Sequence, residues 1–172
     1  FSQYSNIPFE LGIIRNHYVG RTFIEPTQSI RQFGVKLKHS VNISFIKGKK
    51  VVLIDDSIVR GTTAKKIVKM IYNAGAKEVH LGVSCPPITH PDFYGIDTPS
   101  YEELIASKSS VDEMCKEIGT KSLFFLSLDG TYRAMGYDKR DSVIPQFTDH
   151  CFTGEYPTQL IDIEQGLSLI HI

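Results

Sequence analysis

Long apolar runs are missing from this chain. No stretch approaches the roughly 18 consecutive apolar residues of a membrane-spanning helix, so no membrane partner is expected. An excess of one charge is missing too: 19 Lys and Arg balance 19 Asp and Glu, for a formal net charge of zero. That balance argues against a nucleic-acid or membrane-surface partner. It leaves room for a local basic patch serving a small anionic ligand. Cysteine is scarce. Cys85, Cys115 and Cys151 lie far apart and are odd in number, so no disulfide framework is read and a reducing cytoplasm is expected. The opening FSQYSNIPFE has neither a basic segment nor an apolar run behind it, so it does not read as a secretory signal. It also lacks an initiator methionine, which is compatible with a fragment or a processed chain. No internal repeat or low-complexity segment is present.

What remains is 172 residues, enough for one domain with a core. Leu11–Arg15 is short and apolar, like the end of a buried strand. Asn16–Ser40 is polar and basic, with Arg21, Arg31, Lys36 and Lys38 against one acid, Glu25. Stretches of that length between strands are commonly functional or mobile. Lys47–Lys50 reads as a turn. Val51–Ile54 reads as a buried strand, because large aliphatic residues run there without alternation. Thr62–Ala74 reads as a helix with Ile67, Met70, Ile71 and Ala74 on one face. Thr62 or Thr63 is expected to cap its start, and Gly75 to close its end in a left-handed conformation. Glu78–Ser84 reads as the next strand, which makes a βαβ unit and a parallel sheet. A long loop follows to Pro99. Short helices are expected over Ser100–Ala106 and Val111–Ile118, a strand over Ser122–Leu126, and a last helix over Leu128–Met135. No element is read from Lys139 onward.

The chemistry concentrates in VVLIDDSIVRGTT, Val51–Thr63. Asp55 and Asp56 fall at the carboxyl end of a strand, and a hydroxyl-rich loop then leads into a helix. In open α/β sheets ligands bind at that place. Backbone N–H groups, the hydroxyls of Ser57, Thr62 and Thr63, close approach at Gly61 and the positive end of the helix dipole together suit a phosphomonoester. The pattern is not a Walker A loop. Two carboxylates would repel a phosphate unless they face something else. A ribose diol and a hydrated Mg²⁺ are both suitable, and both occur together with phosphoribosyl pyrophosphate. The bland alternative is an acid pair that only caps a helix.

The same run resembles the phosphoribosyl pyrophosphate motif of type I phosphoribosyltransferases. In the form DDSIVRGTT, with Arg60 inside it, it resembles the glutamine phosphoribosylpyrophosphate amidotransferase family. YVGRTFIEPTQSIRQFGVKLK (Tyr18–Lys38), FYGIDTPSYEELIAS (Phe93–Ser107) and CFTGEYPT (Cys151–Thr158) are similar to that family in the same order. The resemblance implies an α/β type I phosphoribosyltransferase fold with a mainly parallel, doubly wound sheet, incomplete on its N-terminal side. It divides the chain into a partial phosphoribosyltransferase domain over 1–138 and a C-terminal segment over 139–172. It implies a pentosyltransferase of purine synthesis, in which ammonia from glutamine displaces pyrophosphate to give 5-phosphoribosylamine. Asp55 and Asp56 would hold the ribose hydroxyls and the Mg²⁺. Ser57, Ile58, Val59, Arg60, Gly61, Thr62 and Thr63 would hold the 5-phosphate. Tyr18–Ser40 would close over the substrate, with Arg21, Lys36 and Lys38 among its catalytic cations. Tyr18, Arg21 and Ile24 would help form the ammonia channel. Homo-oligomers and feedback inhibition by purine nucleotides are implied as well. Another type I phosphoribosyltransferase acting on a nucleobase, or a non-catalytic phosphoribosyl pyrophosphate sensor, remain the alternatives.

The resemblance also marks departures. The family's glutaminase domain begins at a nucleophilic cysteine, whereas residue 1 here is Phe. The family's upstream pyrophosphate loop is not found either. The chain alone is therefore expected to release no glutamate from glutamine. Some members carry an iron–sulfur cluster, but one ligand position holds Asp92 here and only Cys151 remains of a C-x-x-C pair. No cluster is expected. His17, His39, His80, His90, His150 and His171 show no metal-ligand spacing with other ligands. Cys85 and Cys115 read as small buried hydrophobes.

Overall fold

A computed structural model describes residues 1–15, 39–96, 98 and 100–160. A single helical turn, α1 (Ser2–Ser5), precedes β1 (Ile13–Arg15), which pairs antiparallel with β2 (His39–Val41). The buried strand end expected at Leu11–Arg15 is therefore corrected. Leu11 and Ile14 are 62% and 52% exposed, and only Ile13 and Val41 lean on the core. A two-stranded ladder has too little cover to bury both faces. The polar stretch expected to run to Ser40 ends earlier, because His39 and Ser40 already belong to β2.

After the turn α2 (Ile43–Ile46) comes the main sheet, β3 (Lys50–Asp55), β4 (Glu78–Val83) and β5 (Ser122–Phe125), all parallel with β4 in the middle. Position explains burial. Val79 and Leu81 of central β4 are fully buried. β3 has one partner among the described residues and is only half-buried, with Ile54 45% exposed. The expected continuous burial of Val51–Ile54 is corrected accordingly. Gly82 faces Phe124, and a Cβ there would lie 2.4 Å from the ring's Cζ.

The crossover from β3 to β4 is α3 (Thr62–Asn73). Its buried face is Ala64, Ile67, Val68 and Ile71, while Met70 and Ala74 sit half-buried at its border. Gly75 closes the helix at φ 92°, as expected. The start differs from expectation: the N-cap is Gly61 at φ 72°, and no side chain caps it. Thr62 and Thr63 fall inside the first turn, where their hydroxyls cannot serve as the cap.

The second crossover runs through the expected loop, a 3₁₀ turn at Tyr101–Glu103, then α4 (Ile105–Lys108) and α5 (Val111–Ile118). α5 starts at a capping box: Ser110 Oγ accepts from the Glu113 N–H and the Glu113 carboxylate accepts from the Ser110 N–H. Ile67, Val68, Ile71, Ile105, Met114 and Ile118 join the β4 side chains in one core.

α6 (Leu128–Ala134) follows β5 as expected, but it is not the last helix. A one-turn helix, α7 (His150–Thr153), lies beyond it, too short to leave an apolar period. A buried carboxylate and a mostly buried guanidinium hold this segment. Asp149 accepts from Tyr132 Oη at 2.7 Å and from Arg140 Nε at 2.6 Å. Arg140 also bonds Glu155. Cys151 O accepts from the backbone N–H groups of Thr89 and His90, which ties α7 to the long loop.

Candidate functional site

The acid pair sits where β3 ends. Asp55 is the last residue of β3, half-buried, and its Oδ1 accepts from the Asp56 N–H at 3.0 Å. Asp56 is exposed, and its Oδ1 accepts from Ser57 Oγ at 2.9 Å. Ser84, just past the end of β4, fixes the pair from below. Its N–H and its Oγ donate to the Asp55 carbonyl at 3.0 Å and 3.1 Å. The backbone that carries the carboxylates is thus held by two adjacent parallel strands. Sequence reasoning missed Ser84, although its place at the end of the neighbouring strand was the available signal.

From Ser57 the loop dips and returns. Ile58, 3% exposed, plugs into the core. The Val59 carbonyl accepts from the Ile105 N–H at 3.0 Å. Arg60 turns outward and gives its guanidinium fork to Glu103, Nε to Oε1 at 3.0 Å and Nη2 to Oε2 at 3.2 Å. That pairing holds Glu103 below the usual carboxylate range. Gly61 then supplies the left-handed turn that opens α3, and a Cβ on it would approach Ile105 Cδ1 to 3.0 Å. The first turn of α3 has no side-chain cap and no acid, so its N–H groups face the loop's mouth beside the exposed Thr62 and Thr63. An uncapped helix start of twelve residues is a natural seat for an anion.

One loop thus carries Asp55, Asp56 and Ser57 from the end of β3, through Ile58, Val59, Arg60 and Gly61, to Thr62 and Thr63 in the first turn of α3. Arg60, expected in the phosphate loop, here pairs with Glu103. That partner lies 43 residues away, so the local motif could not reveal it. Tyr18, Arg21, Ile24, Lys36 and Lys38 lie outside the described residues.

Cys85 reports on the field of this site. It is half-buried next to Ser84, and burial, with the Asp56 and Asp55 carboxylates behind it, pushes its thiol up to about 11. With divalent cations chelated, alkylation of Cys85 should keep accelerating past pH 9 and level only near pH 11. Replacing both aspartates by asparagine should bring that plateau down, read by peptide mass mapping. A plateau unmoved by the substitutions would mean that burial alone sets the thiol.

A second polar cluster lies away from the loop. His150 bonds Asp92 through Nε2 at 2.7 Å, both side chains being almost fully buried. Burial opposes ionisation of Asp92, but the N–H groups of Ile96 and Tyr94 and the His150 ring outweigh it and hold its carboxyl below the usual range. One donor atom each from Asp92, His150 and Cys151 lie within 4.8 Å of one another. The histidines show no metal-ligand spacing along the sequence, and the partner of His150 stands 58 residues upstream, where no linear spacing rule reaches.

Comparison with known proteins follows the same line. A family model described as a phosphoribosyl transferase domain matches residues 14–115. The chain is 64% identical over 163 residues to an amidophosphoribosyltransferase of Rhizobium etli, covering 94% of this chain and 33% of that protein. It is 52% identical over 160 residues to the amidophosphoribosyltransferase of Bacillus subtilis, covering 93% of this chain and 33% of that one. A solved structure described as a glutamine phosphoribosylpyrophosphate (PRPP) amidotransferase from B. subtilis complexed with ADP and GMP superposes at a TM-score of 0.79. It shares 52% identity and covers 92% of this chain and 34% of that chain. The chain spans about a third of the length of these relatives. The expected α/β type I phosphoribosyltransferase fold is the fold observed. An acid pair at a strand end, a loop into an uncapped helix, and a family model spanning both make this chain a member of the phosphoribosyl transferase domain family.

Proposed function

We propose that the chain is the phosphoribosyl pyrophosphate-binding part of an amidophosphoribosyltransferase, the enzyme that makes 5-phosphoribosylamine from phosphoribosyl pyrophosphate and glutamine-derived ammonia. One observation carries the reading: the Asp55–Asp56 pair opens directly, through a hydroxyl-bearing loop, onto the uncapped start of α3. The 5-phosphate takes the helix start with Ser57, Thr62 and Thr63. The ribose diol donates to the two carboxylates. Hard oxygen donors on adjacent carboxylates fit Mg²⁺, so Asp55 and Asp56 would hold it. When bound, the ion neutralises charge on the leaving group.

In the reaction the C1–oxygen bond to pyrophosphate breaks, ammonia forms the C1–nitrogen bond, and a proton leaves the new ammonium. Positive charge gathers on the sugar ring as the bond breaks, and the acid pair beneath it stabilises that charge. Arg21, Lys36 and Lys38 are proposed to neutralise the departing pyrophosphate. Tyr18, Arg21 and Ile24 are proposed to guide ammonia while the 18–40 stretch excludes water. Assembly as a homo-oligomer, restraint by purine nucleotides and a cytoplasmic setting complete the reading. Three free cysteines fit a reducing compartment.

Titration calorimetry tests the reading. Phosphoribosyl pyrophosphate with Mg²⁺ should bind, ribose 5-phosphate should bind more weakly, and a nucleobase should add nothing. Synergy with a purine or pyrimidine base would instead favour a nucleobase phosphoribosyltransferase. No heat with phosphoribosyl pyrophosphate at all would sink both.

Arg60 and Glu103 are positioning residues. Their pair is half-exposed and screened by solvent, so Glu103→Gln should leave the melting temperature nearly unchanged. The loop it steadies should lose phosphoribosyl pyrophosphate affinity by roughly three- to tenfold, about one decade per 1.4 kcal/mol. Unchanged affinity would show that Ile58 and the Val59–Ile105 bond suffice to hold the loop.

A further inference from the structure

The cluster around His150 has no part in the proposed phosphoribosyl transfer, and its members are held by several contacts each. Asp92 comes from the long loop after β4, whereas His150 and Cys151 come from α7. Each is fixed by its own contacts. Asp92 Oδ1 accepts from the N–H groups of Tyr94 at 2.8 Å and Ile96 at 2.9 Å, which sets the carboxylate plane. The Cys151 backbone is held through its carbonyl by the N–H groups of Thr89 at 2.9 Å and His90 at 3.1 Å. The His150 ring lies between Tyr94 and Tyr156, with centroids 5.1 Å and 5.0 Å away.

Hydrogen bonding does not complete this arrangement. His150 is 3% exposed, Nε2 meets Asp92, and Nδ1 is buried with no partner among the described residues. A buried polar atom left so costs about 1–3 kcal/mol. Nearby stand a thiol and a carboxylate, and one donor atom from each of the three residues falls within 4.8 Å of the others. Tetrahedral zinc has bonds of about 2.3 Å to sulfur and about 2.0 Å to nitrogen or oxygen. Its ligand atoms therefore stand roughly 3.3–3.7 Å apart, so an ion would replace the Asp92–His150 hydrogen bond and draw in donors that now lie within 4.8 Å of one another.

We infer that Asp92, His150 and Cys151 form a binding site for a zinc-class divalent cation, distinct from the Mg²⁺ position at Asp55 and Asp56. The donor set chooses the class. Thiolate and imidazole favour zinc over magnesium or calcium, whose preferred partners are oxygens. A solvent molecule takes the fourth position. Binding releases the Cys151 thiol proton, and no redox change is involved. Its role is structural: the ion joins the loop after β4 to α7, two segments otherwise linked by few backbone bonds.

The test uses full-length protein purified without chelator. Elemental analysis should find about one zinc per chain beyond any in the buffer. Replacement by Co²⁺ should produce a near-ultraviolet thiolate-to-cobalt band. Cys151→Ser should remove that band and weaken zinc binding at least about tenfold in chelator competition. Circular dichroism and melting of that variant under chelator should match the parent, which separates lost ligation from lost folding. Metal-free protein with no cobalt band would overturn the inference and leave Asp92–His150 as a metal-free pair. Unchanged zinc affinity in Cys151→Ser, or iron with acid-labile sulfide in place of zinc, would overturn it as well.

Discussion

Exchanging Asp55 and Asp56 together for asparagine is expected to lower affinity for phosphoribosyl pyrophosphate with Mg²⁺ by a hundredfold or more. Each hydrogen bond to a charged group is worth about 1.5–3 kcal/mol, and the diol and the ion use several of them. Two such losses amount to at least about 3 kcal/mol, or two decades in Kd. The exchange is nearly isosteric. Asparagine keeps the Oδ1 acceptor used by the Asp56 N–H and by Ser57 Oγ, so the loop should hold its shape. Asp56 is exposed and Asp55 half-buried, which leaves the core untouched. Calorimetry reads the affinity, and a melting curve confirms the fold. Binding within threefold of the parent would remove the acid pair from the site and with it the proposed function.

Arg140→Met is expected to destabilise the protein by about 3–5 kcal/mol. Arg140 is the charged partner of Asp149, whose side chain is 6% exposed. Methionine fills similar space but strands the carboxylate with only Tyr132 and Thr153 as donors. Such a loss corresponds to a fall in Tm on the order of 10 °C for a chain of this length. Pairing it with Asp149→Leu in a double-mutant cycle isolates the buried charge, because the double variant should recover much of the loss. A single variant that melts within about 2 °C of the parent would show that aromatic contacts hold the C-terminal segment instead.

The parts of this structure written in local pattern were legible in advance. α3 shows its period and its closing Gly75, and α5 shows its period too. β4 shows its alternation of Val79, Leu81 and Val83, and the acid pair shows its place at a strand end. Errors arose where neighbours decide. Val51–Ile54 looks like a buried strand by composition, but its exposure depends on what lies beside β3. Leu11–Arg15 likewise lacks cover. Thr62 and Thr63 are good capping residues by type, yet the left-handed Gly61 moved the helix start ahead of them. The partners of Arg60 and His150 were not legible for a common reason: Glu103 and Asp92 are close in space and remote in sequence. Single-sequence patterns carry periodicity and caps, not the pairing of distant side chains.

Ser84 ties the acid pair to strand register. Its N–H and hydroxyl both hold the Asp55 carbonyl, and they can do so only when β4 lies against β3 with Asp55 opposite Val83. A slip of one residue would put Val83 or Cys85 at that point and turn every β4 side chain to the other face. Misregistered chains would therefore lose the core and the ligand seat in one stroke. A ligand that took this seat would act as an inspector of folding: it would bind the correctly threaded population and draw the equilibrium toward it.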